Sequence, residues 1–319
     1  MKLSYQHLTT RYEVELILEN LNGKVLEEKL SGLSGGFALA LGSGGARGYA
    51  HIGVLKTLEE HGLTPRFVVG TSAGAAFGAF WAAGYSAAEI EELLSSFRTR
   101  EILKMLFGKL PGRPDMDQVE ELCRELFLAK GVERVEDFRV PYAAVSADLS
   151  SGERVLVTGG DPALAVRASG SMPFFFAPLA VDGRFLIDGM LVEPLPWRSA
   201  LELGATQVLA VDVSVRESQL PGINWAKRAW SSRMGKRMQS SWEQRHPGSF
   251  GGALQKSMCL IGAGWEQEPA QIPAEVIHLE VSGQQRWFDF SPALNLVAQG
   301  EQLAREAIAR LVPNPTFSL

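Results

Sequence analysis

The sequence predicts an α/β fold in which helices cover both faces of a mostly parallel sheet. From residue 37 onward, short apolar runs alternate with longer stretches of helical periodicity, a pattern typical of parallel strands joined by helices. Two of the apolar runs lead directly into glycine-containing turns that open a helical stretch. With 319 residues, 46% of them hydrophobic, the chain is long enough to bury the core of one such domain.

The individual elements follow from these alternations. The predicted strands are residues 37–41, 66–69, 141–147, 153–158, 184–187, 207–212 and 276–281. The predicted helices are residues 48–61, 73–83, 87–97, 116–129, 161–169, 195–203 and 291–311. Because the sequence has no internal repeat and no low-complexity linker, we expect residues 36–319 to form a single domain.

Residues 1–35 are predicted to be an N-terminal appendage with a hairpin. Apolar and acidic residues alternate over residues 11–30, and an Asn-Gly pair at positions 22 and 23 is a strong hairpin turn signal. A short amphipathic helix is the alternative.

No continuous apolar stretch marks a signal peptide, and the longest apolar window, residues 67–85, is broken by Gly, Thr and Ser. It is therefore interpreted as core rather than as a membrane span.

Composition excludes several classes of function. The chain has 31 Lys and Arg against 36 Asp and Glu, a net charge of −5, so its charge gives no indication of nucleic-acid binding. The two cysteines, Cys123 and Cys259, are too few for a disulfide framework or a zinc site. We expect reduced thiols in a cytoplasmic protein.

The first predicted strand leads into a glycine-rich loop, Gly42–Gly48. Glycines let the backbone approach a ligand closely, so several N–H groups can point at one negative oxygen. A dinucleotide-binding fingerprint is excluded because its third glycine would fall at Arg47, and because no acidic residue for a ribose follows the next strand. A phosphate-binding turn is the remaining alternative.

The second predicted strand leads into Gly70-Thr71-Ser72-Ala73-Gly74. This Gly-x-Ser-x-Gly pattern can hold a serine on a tight strand-to-helix turn with its hydroxyl exposed above the sheet. The pattern alone is weak, but the small residues at 73–76 let a helix begin close to the strand. An anion-binding loop followed by an exposed serine suggests acyl transfer, the chemistry of a serine hydrolase.

A serine nucleophile needs a base, and the sequence favours a carboxylate. None of the histidines lies in the glycine or turn context of a catalytic residue, and His246 is the one loop candidate. The histidines are His7, His51, His61, His246 and His278. Asp188 ends an apolar strand and precedes a glycine, and groups that face a ligand gather at the carboxyl ends of strands. Burial would raise its pKa towards that of a general base; a solvated turn residue is the alternative.

Together these motifs resemble the patatin-like phospholipases, in particular bacterial members similar to the catalytic domain of neuropathy target esterase. The matching residues are Gly42, Gly44, Gly45, Arg47 and Gly48 in the loop, Gly70, Ser72 and Gly74 in the turn, and Asp188 and Gly189 in the third motif. Residues 147–152 and 168–173 resemble two further family blocks. The chain departs from the family at Met190, where a small residue is usual, and at Pro194, where many relatives have asparagine.

The resemblance implies a three-layer α/β/α patatin-like sandwich and a catalytic dyad without histidine. Ser72 would be the nucleophile and Asp188 the base, and the amides of Gly44, Gly45 and Ala46 would form the oxyanion hole. Gly42 and Gly48 would support the loop. Arg47 would either hold this loop or meet a phosphate.

The implied activity is hydrolysis of fatty-acyl esters of phospholipids or lysophospholipids through an acyl-serine intermediate, without a metal or an organic cofactor. Two alternatives stay open. The first is an esterase or thioesterase that acts on soluble acyl substrates. The second is a catalytically weak, lipid-binding regulatory protein that keeps the fold.

Residues 222–262 have the composition of a segment that contacts a membrane surface. They contain three tryptophans and seven Lys or Arg residues but one acidic residue, Glu243. Tryptophan rings favour the depth of the lipid headgroups, and cations attract anionic lipids. We expect this segment to contact anionic membrane near the Ser72 site, which would place the protein at the inner membrane face. A surface helix packed on the domain is the alternative.

Overall fold

The computed structural model describes residues 36–96, 116–173, 176–181, 183–214, 273, 276–281 and 293–311. The predicted appendage (residues 1–35) and the basic, tryptophan-containing segment (residues 222–262) lie outside the described residues. His7 and His246 lie outside them as well.

Within the described residues, all seven predicted strands and all seven predicted helices are confirmed to within two residues. The strands are β1 Ala38–Leu41, β2 Val68–Thr71, β3 Tyr142–Asp148, β4 Arg154–Val157, β5 Leu179–Val181, β6 Arg184–Asp188, β7 Val208–Asp212 and β8 Val276–Glu280. The α-helices are α1 Tyr49–Glu60, α2 Ala73–Ala83, α3 Ala87–Ser96, α4 Asp117–Ala129, α5 Pro162–Gly170, α6 Trp197–Glu202 and α7 Ala293–Leu311. The structure also contains strand β5, which the sequence did not predict.

The strands form one mixed sheet between two layers of helices, as the sequence predicts. Strands β3, β2, β1, β7 and β8 lie side by side and parallel. One face shares an apolar core with α1 to α5 and α7, and the opposite face packs against α6. Side chains alternate between the two cores along β1, where Leu39 and Leu41 point to the first and Ala38 and Ala40 to the second. This three-layer α/β/α arrangement buries the central strands on both faces.

Strands β2 and β6 meet end to end along one side of β3. Val145 pairs with both β2 and β4, and Ser146 pairs with both β4 and β6. Because a residue in a sheet has one neighbour on each side, β4 occupies one side of β3, and β2 and β6 share the other. Parallel β2 ends at Thr71 opposite Val145, and antiparallel β6 ends at Asp188 opposite Ser146. The residue that follows Thr71 is therefore brought beside Asp188.

The C-terminal helix α7 fixes the helix that follows the glycine loop. A Cβ atom on Gly300 of α7 would lie 1.9 Å from the carbonyl oxygen of Ala50 in α1, and one on Gly53 of α1 would lie 1.9 Å from that of Val297. The two backbones are therefore in direct contact at both glycines. This contact holds the start of α1, and with it the end of the loop, against the rest of the domain.

Candidate active site

Ser72 occupies a strained turn between β2 and α2. Its φ of 55° and ψ of −117° make it the one non-glycine residue with positive φ in the described part of the chain, a conformation that costs about 1–3 kcal/mol. The flanking glycines make the turn possible. A Cβ on Gly70 would lie 2.5 Å from the Cα of Ala75, and one on Gly74 would lie 2.1 Å from the carbonyl oxygen of Leu41. The turn is thus as sharp as the Gly-x-Ser-x-Gly pattern predicts.

The hydroxyl of Ser72 donates a hydrogen bond to Asp188. The distance from Ser72 Oγ to Asp188 Oδ2 is 2.7 Å, and the N–H of Met190 donates to Oδ1 at 2.9 Å. Asp188 is fully buried. Burial raises the pKa of Asp188 to about 7, against the opposing effect of these two hydrogen bonds. A carboxylate with this pKa is suited to accept a proton near neutral pH.

The backbone that follows Asp188 contacts both halves of the site. The carbonyl of Glu193 accepts a hydrogen bond from Thr71 Oγ1 at 2.9 Å, and the carbonyl of Pro194 accepts one from the N–H of Ser43 at 2.8 Å. The two departures from the family pattern are therefore compatible with this geometry. Met190 and Pro194 contribute an N–H and a carbonyl respectively, which do not depend on the side chains usual in the family.

The glycine loop packs against the start of α2. Residues Gly45–Gly48 form a 3₁₀ turn, and the φ of 58° at Gly45 lies in the left-handed region that favours glycine. A Cβ on Gly48 would lie 2.8 Å from the Cβ of Ala73, and one on Gly44 would lie 2.2 Å from the carbonyl oxygen of Val213. The loop is thereby held between α2 and the end of β7.

Three consecutive N–H groups of this loop have no protein partner in the described part of the chain. They belong to Gly44, Gly45 and Ala46. The neighbouring N–H groups are used, since that of Gly42 donates to the carbonyl of Val211 and that of Arg47 to the carbonyl of Gly44. Three such donors in one turn form a site that can bind a negative oxygen.

Arg47 points away from solvent and towards the end of β8. Its side chain is buried, and Nη2 donates a hydrogen bond to the carbonyl of Val281. This contact joins the glycine loop to the residue that follows β8, and the role of Arg47 stays a prediction.

The described histidines take no part in the contact between Ser72 and Asp188. His51 is fully buried, and its Nε2 lies 2.8 Å from the carbonyl oxygen of Gly42. Burial lowers its pKa to about 4, which keeps it neutral. The ring Nδ1 of His61 contacts the carbonyl of Thr57, and His278 pairs with Asp212. His51 is therefore a buried residue of α1 whose ring contacts the backbone of the glycine loop.

Sequence reasoning missed Ser169, which contacts Ser72 directly. Its Oγ accepts the N–H of Ser72 at 2.8 Å and donates to the carbonyl of Val145 at 2.5 Å. The residue belongs to the family block at 168–173. The resemblance therefore marked its position, but nothing in the sequence indicated what its side chain contacts. In the other family block, Asp148 Oδ1 accepts the N–H of Ser150 and so holds the turn between β3 and β4.

The residues that the structure describes offer neither a metal site nor a membrane-spanning helix. They contain no group of three or more His, Cys, Asp or Glu side chains that could hold a metal ion. None of their helices is both long enough and apolar enough to cross a membrane.

A serine on a strained strand-to-helix turn, hydrogen-bonded to a buried carboxylate, and a glycine loop with N–H groups that have no partner among the described residues are parts of a serine hydrolase site. The model of the patatin-like phospholipase family matches residues 39–201, just over half of the chain, and the chain belongs to this family.

The chain is also similar in sequence to several curated proteins. An uncharacterized NTE family protein of Mycobacterium tuberculosis is 37% identical over 187 residues, which cover 57% of this chain and 50% of that protein. Lysophospholipase NTE1 of Yarrowia lipolytica is 33% identical over 185 residues, 57% of this chain and 13% of that protein. The matched region is thus half or less of these relatives' own length. Among solved structures, VipD from Legionella pneumophila has a TM-score of 0.48 and 14% identity, covering 85% of this chain and 67% of that one.

Proposed function

We propose that this protein hydrolyses fatty-acyl esters of phospholipids or lysophospholipids with a Ser-Asp dyad. The observation that carries the proposal is the 2.7 Å hydrogen bond from Ser72 to a buried Asp188 with a pKa of about 7. The substrate class is supported by the family and by a relative named as a lysophospholipase.

In the first half of the reaction, Ser72 Oγ attacks the ester carbonyl while its proton passes to Asp188 Oδ2. The negative charge that develops on the carbonyl oxygen is stabilised by the N–H groups of Gly44, Gly45 and Ala46, each contributing about 3 kcal/mol. When the tetrahedral intermediate collapses, the C–O bond to the leaving alcohol breaks and Asp188 returns the proton to that alcohol. Ser72 is left acylated.

In the second half, water replaces the alcohol. Asp188 takes a proton from a water molecule, which attacks the acyl carbonyl, and the same N–H groups bind the oxyanion. Collapse of this intermediate breaks the bond to Ser72 Oγ and releases the fatty acid, and the proton on Asp188 returns to Oγ. One carboxylate therefore serves both halves, which requires a pKa close to the working pH.

The test compares the wild-type chain with Ser72→Ala on a panel of acyl donors. We expect the wild type to release fatty acid from lysophosphatidylcholine or phosphatidylcholine, to be labelled by a fluorophosphonate, and to lose both properties in Ser72→Ala. Ser95→Ala is the matched control, because Ser95 lies on the exposed side of α3 and its hydroxyl contacts the carbonyl of Glu92. Faster turnover of soluble esters or acyl thioesters than of lipids would favour the first alternative. Lipid binding without labelling or turnover would favour a regulatory protein.

We also propose peripheral contact with anionic membrane through residues 222–262, on the strength of their tryptophans and cations. Such contact would place the protein in the cytoplasm at the inner membrane face. Binding to anionic liposomes should weaken as salt rises, because the Debye length falls to about 10 Å at 0.1 M. Binding that persists after Trp230→Ala, Lys236→Glu and Arg237→Glu are combined would contradict this proposal and leave the hydrolase proposal standing.

A further inference from the structure

The strained backbone of Ser72 is held on both sides by hydrogen bonds. Its carbonyl accepts the N–H of Ala76 at 3.1 Å, which is the first hydrogen bond of α2. Its N–H lies beyond the last paired residue of β2 and donates to Ser169 Oγ at 2.8 Å. The helix thus holds one side of the residue, and a side chain from α5 holds the other.

The hydroxyl of Ser169 stands between the diverging ends of two strands. It accepts from Ser72 and donates to the carbonyl of Val145, the residue that pairs with the end of β2. Its one donor and one of its acceptor sites are therefore both in use. In a continuous parallel ladder, backbone groups of the two strands would bond to each other directly. At Ser72, where the chain turns away from β3, the Ser169 hydroxyl instead bridges the N–H of Ser72 and the carbonyl of Val145.

The same turn also holds the base. Two residues after Ser169, the carbonyl of Ser171 accepts the N–H of Asp188 at 3.0 Å. The end of α5 and the residue after it therefore contact the backbones of Ser72 and Asp188, and set the positions from which the two side chains meet.

We propose that Ser169 is a positioning residue for the nucleophile, whose hydroxyl keeps Ser72 in the conformation that directs Oγ at Asp188. This inference rests on the proposed hydrolase function. Ser169 also occupies the N–H of Ser72, so that this group does not serve the oxyanion and the loop N–H groups carry that task. Because Ser169 is fully buried, its removal takes away the hydrogen-bond partner of the Ser72 N–H and of the Val145 carbonyl, at a place where bulk water does not reach the Ser169 side chain.

The experiment compares Ser169→Ala with Thr57→Val as the matched control. Thr57 is also fully buried, and its hydroxyl donates to a backbone carbonyl, that of Gly53, at 2.9 Å. Fluorophosphonate labelling and kcat on a soluble ester should fall roughly tenfold to hundredfold in Ser169→Ala, as expected for a misplaced reacting group, with KM nearly unchanged. Thr57→Val should lower Tm by a similar amount and label at the wild-type rate. Ser169→Cys replaces the hydroxyl with a somewhat larger thiol that forms weaker hydrogen bonds, and it should lie between Ser169→Ala and the wild type.

Two outcomes would overturn the inference. The first is wild-type labelling by a folded Ser169→Ala chain. The second is an equal loss of labelling in Thr57→Val, which would indicate a general effect of lost stability.

Amide hydrogen exchange separates this inference from the hydrolase proposal. Exchange at the N–H of Ser72 should accelerate in Ser169→Ala and stay at the wild-type rate in Thr57→Val. A wild-type chain that no fluorophosphonate labels would contradict the proposed function, and unchanged exchange in Ser169→Ala would contradict the positioning role.

Discussion

Asp188 and Asp212 both end a strand of the sheet, and their pKa values are shifted in opposite directions. Each is the last residue of its strand, β6 or β7. Asp188 is fully buried and accepts hydrogen bonds from a hydroxyl and an amide, and burial raises its pKa to about 7. Asp212 is 19% exposed, and its Oδ2 lies 3.2 Å from Nε2 of His278. Burial alone would raise the pKa of Asp212 as well, but hydrogen bonds from His278 and Ser214 outweigh it and hold the pKa below its usual value.

The comparison separates two uses of a carboxylate at a strand end. Neutral donors in a dry environment leave Asp188 with a high proton affinity, which suits a general base. A partner that can carry positive charge keeps Asp212 ionised, which suits a structural pair between β7 and β8. The position at the carboxyl end of a strand therefore does not by itself give a carboxylate the proton affinity of a general base. The partners of the carboxylate and its access to water set its proton affinity.

The largest expected difference between the two carboxylates is in catalysis. Asp188→Asn removes the proton acceptor that we propose and should lower kcat/KM by about 10⁴-fold, as loss of one member of a catalytic unit does. Asp212→Asn should keep activity near that of the wild type. Steady-state kinetics on one soluble ester, with folding checked by circular dichroism, gives the answer. Equal losses in both variants would remove the distinction.

The second expected difference is in pH dependence. Since only the ionised form of Asp188 accepts a proton, kcat/KM should fall by about tenfold per pH unit below a pKa of about 7 in the free enzyme. The fall should persist in His278→Ala, because the partner of His278 among the described site residues is Asp212, whereas Asp188 is bonded to Ser72 and Met190. A pH profile whose acidic limb disappears in His278→Ala would transfer the role of base to the histidine.

The third expected difference is a gain of stability in Asp188→Asn. The folded-state pKa of Asp188 lies above its ordinary value of 3.8, so the stability that its protonated form contributes is complete below pH 3.8 and is lost as pH rises through about 7. Above that pH the ionised group costs at most about 4 kcal/mol. Asp188→Asn should therefore be more stable than the wild type at pH 8, with a smaller advantage at pH 5. Urea denaturation at pH 5 and pH 8 measures the free energy of unfolding of both chains. An Asp188→Asn chain less stable than the wild type at pH 8 would contradict the prediction.

The smallest expected difference is the stability that the pair of Asp212 and His278 contributes. The lowered pKa of Asp212 means that this contribution is present above the unfolded value of 3.8 and is lost as pH falls through the folded value. Asp212→Asn should cost about 0.5–2 kcal/mol at pH 6, and the gap to the wild type should close towards pH 3. Urea denaturation of both chains across this range provides the measurement. If the difference in unfolding free energy between the two chains grew as the pH fell, the predicted direction of the Asp212 pKa shift would be wrong.

Local sequence patterns predicted nearly every element of the described fold. Apolar periodicity, glycines and turn residues act over a few neighbours, so seven strands and seven helices could be located from them. The exception is β5, Leu179–Val181, which has three residues. A strand of that length is too short to display an alternation, and its pairing with β6 across the turn at Gly183 depends on β6 already lying in the sheet.

Within the site, the sequence by itself determined the residues whose chemistry is local. The glycines at 70 and 74 permit the turn at Ser72, and a strand that ends in Asp-Gly places Asp188 at a strand end. The partners of these residues are distant in sequence, and only the tertiary structure decided them. The meeting of β2 and β6 along one side of β3 brings Ser72 and Asp188 together, and the packing of α5 places Ser169 behind Ser72. The pKa of Asp188 was decided in the same way, because the exclusion of water that raises it is a property of the packed domain and not of the residues beside it in sequence.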